Sequence, residues 1–177
     1  MALIRKLKDT EPIIGEGTFL AETAVIIGDV SIGRDCSIWY NTVLRGDVNT
    51  ITIGDRVNIQ DGTVIHTLYK QSKTVIGNDV SVGHNATIHG AIIEDMCLIG
   101  MGATILDNAV VATGCIVAAN ALVLSGTHLE PNSVYAGVPA KKVREVTAEQ
   151  RSQIIERIAR DYRMYASWYE EGEQDLV

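Results

Sequence analysis

The stretch from Ile93 to Val123, IEDMCLIGMGATILDNAVVATGCIVAANALV, carries an aliphatic residue at every sixth position: Ile93, Ile99, Ile105, Val111, Val117 and Val123. A period of six fits neither the 3.6 of a helix nor the simple alternation of an ordinary strand. Working back towards the N-terminus, the spacing recurs in Ile14, Leu20, Ile26, Ile32, Ile38 and Leu44, then in Ile53, Ile59 and Ile65, then in Ile76, Val82 and Ile88. Four residues after most of these stands a small or β-branched residue, among them Ala24, Cys36, Thr63, Ala86, Cys97 and Cys115. That is the signature of an all-β solenoid, a parallel β-helix of hexapeptide repeats, in which three hexads close one triangular coil. The aliphatic residue fills the interior and the small one fits near the corner. Eighteen such hexads predict six coils, and stacking at ~4.8 Å makes a prism of about 29 Å.

The register slips at three places. Three residues are added between Leu44 and Ile53, five between Ile65 and Ile76, and one is lost between Ile88 and Ile93. Insertions in a solenoid are extruded as loops, so Thr67 to Lys73 is expected to be one. All three slips flank histidines. His66 follows Ile65 and His89 follows Ile88, so both take the second hexad position on the third side of consecutive coils. Neighbours ~4.8 Å apart can reach one ion whose Zn–N bonds are about 2.0 to 2.1 Å. His84, two residues after Val82, lies on the preceding side and points elsewhere. If three copies pack about an axis, His84 of one can face the pair of the next, giving three ligands and one open position, the mark of a catalytic zinc.

Arg45 shares the outward column of His66 and His89, whereas Asp61 stacks under His84 with Gln60 beside it. An Arg45 to Asp61 ion pair between copies is therefore expected, with Gln60 placed to orient water. Arg45, Asp47, Gln60 and Asp61 read as an interface network. His128 reads as a solvated polar residue, and Cys36, Cys97 and Cys115 as core packing.

Residues 1–13 form a lead-in, 14–128 the β-helix, 129–146 a connector, and 147–177 a C-terminal amphipathic helix and tail. Thr147 with Gln150 three residues on is a capping-box signature, and Ile154, Ile155, Ile158, Tyr162 and Tyr165 follow at helical spacing. The helix is expected from about Ala148 to Glu170, ending before Gly172. A net charge of -7 without a Lys/Arg block excludes an electrostatic footprint for nucleic acid. No leader or long apolar span is visible, and three cysteines at no metal-like spacing suit a reducing compartment. The expectation is a soluble, cytoplasmic protein without membrane or nucleic-acid partners.

RGDV at Arg45 to Val48, NIQDGTVIH at Asn58 to His66 and VGHNATIHG at Val82 to Gly90 together resemble the γ-class carbonic anhydrase family, over nearly the whole chain. The resemblance implies left-handed coiling and a homotrimer. It implies a metal at each interface, bound by His66 and His89 of one subunit and His84 of the next: zinc usually, with Fe2+ or Co2+ able to occupy such sites. It also implies an Arg45–Asp61 pair between subunits, Asp47 and Gln60 in the active-site network, and hydration of CO2 to bicarbonate. The family archetype has a glutamate directly after the Arg-Gly-Asp triplet and another acidic residue in the loop after the first metal histidine, both implicated in proton transfer. Here Val48 stands at the first place and TLYKQSK carries no carboxylate, so slow or condition-dependent turnover is expected, with Tyr162 of the helix able to approach the site. The alternatives are an acyl- or acetyl-CoA transferase or other thioester-acting enzyme, to which YAGVPAKKVR (Tyr135 to Arg144) bears a resemblance, and a non-catalytic metal-binding scaffold trimer.

Overall fold

A computed structural model of the chain describes residues 1–171, with side chains through Tyr169. The chain winds into a left-handed parallel β-helix of about seven turns followed by one C-terminal helix. The repeat residues do what their spacing demands. Ile26, Ile38, Leu44, Ile59, Ile65, Ile88, Ile93, Ile99 and Ile105 are fully buried in one continuous core. Each such side chain contributes about 1.5–3 kcal/mol by leaving water.

Stacking is in register, because a one-residue slip would turn every aliphatic side chain outward. On the first side Ile53, Ile76, Ile93, Val111 and Leu129 lie above one another. On the second the order is Leu20, Ile38, Ile59, Val82, Ile99, Val117 and Tyr135. On the third it is Ile26, Leu44, Ile65, Ile88, Ile105 and Val123. Corners are turned by residues in the left-handed region, including Asn85, Asn108, Asn120 and Asn132, the residue type that tolerates it best after glycine.

The solenoid is longer than the six coils its strict repeats predict. Leu3–Arg5 pairs in parallel with Val25–Ile27 and lengthens the third side at one end. At the other, Leu129 and Tyr135 are buried and extend the first two sides. Tyr135 does not fit a repeat of aliphatic residues, but its hydroxyl accepts from the Glu130 N–H at 3.0 Å, so its polar end is satisfied. The chain then returns as an antiparallel strand, Lys141–Glu145, against Ser133–Ala136. The three residues added between Leu44 and Ile53 are extruded not as an open loop but as a bulge inside the strand Val43–Ile53: Gly28 pairs with Gly46 and Val30 with Ile51, so Asp47 to Thr50 stand out of register. The five added after Ile65 do leave the ladder, between the strands Val64–His66 and Thr74–Ile76.

Thr147 caps the helix, accepting from the Gln150 N–H at 3.1 Å while the Gln150 side chain accepts from the Thr147 N–H at 3.3 Å. The helix is not regular. After Ala148–Gln150 comes a π-helical segment, Arg151–Glu156, and then the α-helix Arg157–Glu171. Within the wide turn Arg151 bonds Asn132 at a prism corner and Ile155 is buried against Ile116 and Val134. Ala159 and Ala166 are buried further along and bring the helix close to the second side. There Trp39 meets Tyr162 and Tyr169 edge-on, with ring centroids 5.5 and 5.4 Å apart. Gly172 and the tail lie outside the described residues. No described helix is long and apolar enough to cross a membrane.

Candidate metal centre

His66 and His89 are register partners on adjacent coils of the third side. Their rings are 5.1 Å apart at the centroids, and His66 Nδ1 faces His89 Nε2 at 3.1 Å. The nitrogens on the far sides of the two rings each meet a carboxylate. His66 Nε2 lies 2.9 Å from Asp47 Oδ1, and His89 Nδ1 lies 2.9 Å from Asp107 Oδ2. Asp47 belongs to the coil before His66 and Asp107 to the coil after His89, so the two imidazoles are clamped between aspartates from either side.

That arrangement fixes the protons. An ionised carboxylate only accepts, so His66 must donate from Nε2 and His89 from Nδ1. Burial works against ionisation at Asp47, but hydrogen bonds from His66 and Arg45 outweigh it and hold the carboxyl below its ordinary value. At Asp107 burial is likewise outweighed, here by bonds from Ser72 and His89. Two ring lone pairs then face each other across 3.1 Å, a repulsive contact unless a cation or a shared proton lies between them. Bonds of 2.0–2.1 Å at a tetrahedral angle would set two nitrogens about 3.3 Å apart. The donor set therefore fits a divalent cation, with the carboxylate-to-histidine support such sites use.

His84 occupies a different face. Its Nδ1 is 2.8 Å from Asp61 Oδ2, and its Nε2 is 3.4 Å from the Tyr162 hydroxyl. Burial first, then the Asp61 carboxylate, pushes Tyr162 up to about 12, so at neutral pH it is a protonated donor. Gln60 is buried on the same side, its amide donating to Asn58 Oδ1 at 3.0 Å; Asn58 in turn donates to Ser81 at 2.7 Å. The Gln60 side-chain oxygen, Oε1, is left to accept, whereas the backbone carbonyl already takes the Thr42 hydroxyl and the Thr63 N–H. Within one chain, Arg45 pairs with Asp47 and Asp61 with His84. Among the described residues of a single chain, no group of three or more His, Cys, Asp or Glu side chains is arranged to hold a metal. The structure thus gathers Arg45, Asp47, His66 and His89 on one face and Gln60, Asp61, His84 and Tyr162 on another.

Asp107 and Ser72 are the members of this constellation that sequence reasoning missed. Asp107 sits eighteen residues after His89, one past the position stacked over it, because this coil is a residue short and Ile88 lies under Ile105; strict counting therefore puts Leu106, not Asp107, above His89. Ser72 lies in the inserted loop, where no repeat predicts its direction.

Fold and site together define a hexapeptide-repeat protein with a histidine pair stacked on one side of the solenoid. The hexapeptide family described as "Bacterial transferase hexapeptide (six repeats)" matches residues 11–46 and 90–125. "Carbonic anhydrase" of Geobacillus kaustophilus is 42% identical over 172 residues, covering 97% of this chain and 93% of that protein. "Gamma carbonic anhydrase 1, mitochondrial" of Arabidopsis thaliana is 46% identical over 147 residues, or 80% of this chain; the match spans 54%, about half, of the plant protein's length. A solved hexapeptide transferase family protein from Anaplasma phagocytophilum superposes with a TM-score of 0.90 at 37% identity, covering 94% of this chain and 98% of that one. This chain belongs to the γ-class carbonic anhydrase family.

Proposed function

We propose that the protein is a metal-dependent hydratase converting CO2 to bicarbonate. A homotrimer would hold one divalent cation, zinc by preference and Fe2+ or Co2+ as alternatives, at each interface through His66 and His89 of one copy and His84 of the next. The observation that carries the reading is the pair of ring nitrogens 3.1 Å apart with both outer nitrogens tied to Asp47 and Asp107. Two histidines leave a tetrahedral cation two positions short, and one more imidazole from a second copy leaves a single open vertex.

A cation bound there supplies Lewis acidity, bringing the pKa of water to about 7 and making hydroxide available at neutral pH. The chain's own groups orient and exclude. Asn58 holds the Gln60 side-chain amide so that Oε1 is turned out as an acceptor for a water proton. Asp47 keeps His66 in the tautomer whose Nδ1 is free, and Arg45 neutralises that carboxylate; in the trimer Arg45 would also face Asp61 of the neighbouring copy. Tyr162 stands 3.4 Å from His84 Nε2, and its hydroxyl would give up that contact when the Nε2 lone pair turns to a cation, leaving the hydroxyl beside the site. Val48 and the uncharged or basic loop Thr67–Lys73 provide no carboxylate to carry the proton away, so turnover is limited by proton export. Three unpaired, buried cysteines support a reducing compartment such as the cytoplasm.

The test is stopped-flow CO2 hydration on protein purified anaerobically, with metal content and oligomer mass measured on the same sample. A rate equal to the buffer blank with zinc, iron and cobalt alike removes the hydratase reading. The likeness to a protein named as a hexapeptide transferase keeps a thioester-acting reading in view. Calorimetry with coenzyme A separates the two, micromolar binding favouring acyl transfer.

A further inference from the structure

We propose that Ser72 and Asp107 form a latch that fixes the His89 proton on Nδ1 and couples the inserted loop to the metal site. The proposal rests on the preceding reading for its functional consequence, but its chemistry belongs to this chain's own residues. Asp107 places both carboxylate oxygens near His89 Nδ1, at 3.0 and 2.9 Å. The Ser72 hydroxyl donates to Asp107 Oδ1 at 2.5 Å and accepts from the Leu68 N–H at 3.1 Å. One O–H and one lone pair are thereby both committed. The loop cannot swing away without uncovering a carboxylate that positions His89.

The backbone beneath is built for the crossing. Gly90 has φ of +60°, and a Cβ there would collide with Ser72 Oγ and Asp107 Oδ1, so only glycine lets the two side chains meet over it. Thr74, where the loop rejoins the ladder, donates to the His66 carbonyl at 2.9 Å and accepts from the Gly90 N–H at 3.1 Å. Both ends of the insertion are thus fastened to the coils that carry the histidine pair. The five extra residues then have a purpose the repeat does not supply: they reach Asp107 from outside the ladder. Asp107 and Ser72 are positioning residues, acting through His89.

Ring-nitrogen NMR on 15N-labelled, metal-free protein reads the tautomer directly, and competition with a chromophoric chelator reads zinc affinity. In the wild-type protein His89 should carry its proton on Nδ1. The amide of Asp107→Asn can present N–H instead, reversing the tautomer and weakening zinc by about 10–100-fold, the usual cost of losing such support. Ser72→Ala should shift the His89 ring signals and weaken zinc by up to about tenfold, and Ser72→Thr, which keeps the hydroxyl, should restore both. Should Asp107→Asn fail to fold, Ser72→Ala carries the test alone. A His89 proton on Nε2 in the wild type, or Ser72→Ala with unchanged ring signals and zinc affinity, overturns the latch. Wild-type protein that shows the Nδ1 proton yet binds no metal overturns the hydratase reading and leaves the latch standing.

Discussion

His66 and His89 are separated by 23 residues in sequence and by one coil in space, and their facing nitrogens lie 3.1 Å apart. The ladder holds both backbones independently of the imidazoles, so the fold does not depend on the ring contact. His89→Ala should therefore leave the fold and the oligomer mass intact while abolishing metal binding and reducing hydration to the buffer blank. Native mass spectrometry and elemental analysis on one sample check it. A variant that loses its oligomeric state along with its metal would point instead to a metal serving assembly.

The interior positions next to those histidines should behave in the opposite way. Ile88 is fully buried, whereas Ile92, four residues on, is 37% exposed. Ile88→Ala should cost about 2–5 kcal/mol through lost burial and a cavity, and Ile92→Ala within about 0.5 kcal/mol of nothing. Denaturant titration of the two variants measures the difference.

Much of this was legible because a period of six constrains every residue at once. The interior column, the stacking of His66 on His89 and the placement of Asp61 under His84 all follow from counting. The departures have local causes that counting does not contain. Tyr135 extends the prism although it is no aliphatic residue, since its hydroxyl finds the Glu130 N–H. The π-helical turn answers to Arg151 and Ile155 meeting the prism, a tertiary demand invisible to the helical spacing of Ile154, Ile158 and Tyr162. Ser72 was hidden for a similar reason: a loop residue's direction is set by what it crosses, here Gly90 and Asp107.

The helix start offers a separable handle. Thr147 and Gln150 satisfy each other's backbone N–H groups, and Thr147→Ala should remove about 1 kcal/mol. Because the helix carries Tyr162 to His84, faster amide exchange along Arg157–Glu171 should accompany that loss. Unchanged exchange would mean that aromatic packing on Trp39, not the cap, holds the helix down.

Proton export should be open to repair. Val48 directly follows the Arg45-Gly46-Asp47 triplet, on the strand that carries Asp47, and a carboxylate there would add a general base at the place the family archetype has one. Val48→Glu should raise kcat at low buffer concentration by up to about 100-fold, the lower end of what positioned acid–base groups contribute. Concentrated imidazole buffer should raise wild-type kcat and leave the variant little changed. Equal buffer dependence in the two proteins would place the slow step elsewhere.

The buried thiols predict an alkaline limit to stability. Desolvation raises Cys97 from 9.0 to about 12, and burial pushes Cys36 and Cys115 upward as well. A thiol is neutral when protonated, so the folded state holds these protons more tightly than the unfolded chain does. The sign follows from linkage: stability is fully present below about pH 9, where both states are protonated, and falls as pH rises towards 12, because only the unfolded chain ionises. At pH 8 the native protein should react with a thiol-specific disulfide reagent only as fast as it opens, and in denaturant all three cysteines should react at once. Rapid labelling of the native protein at pH 8 would show that one of the three small inward positions is open to solvent.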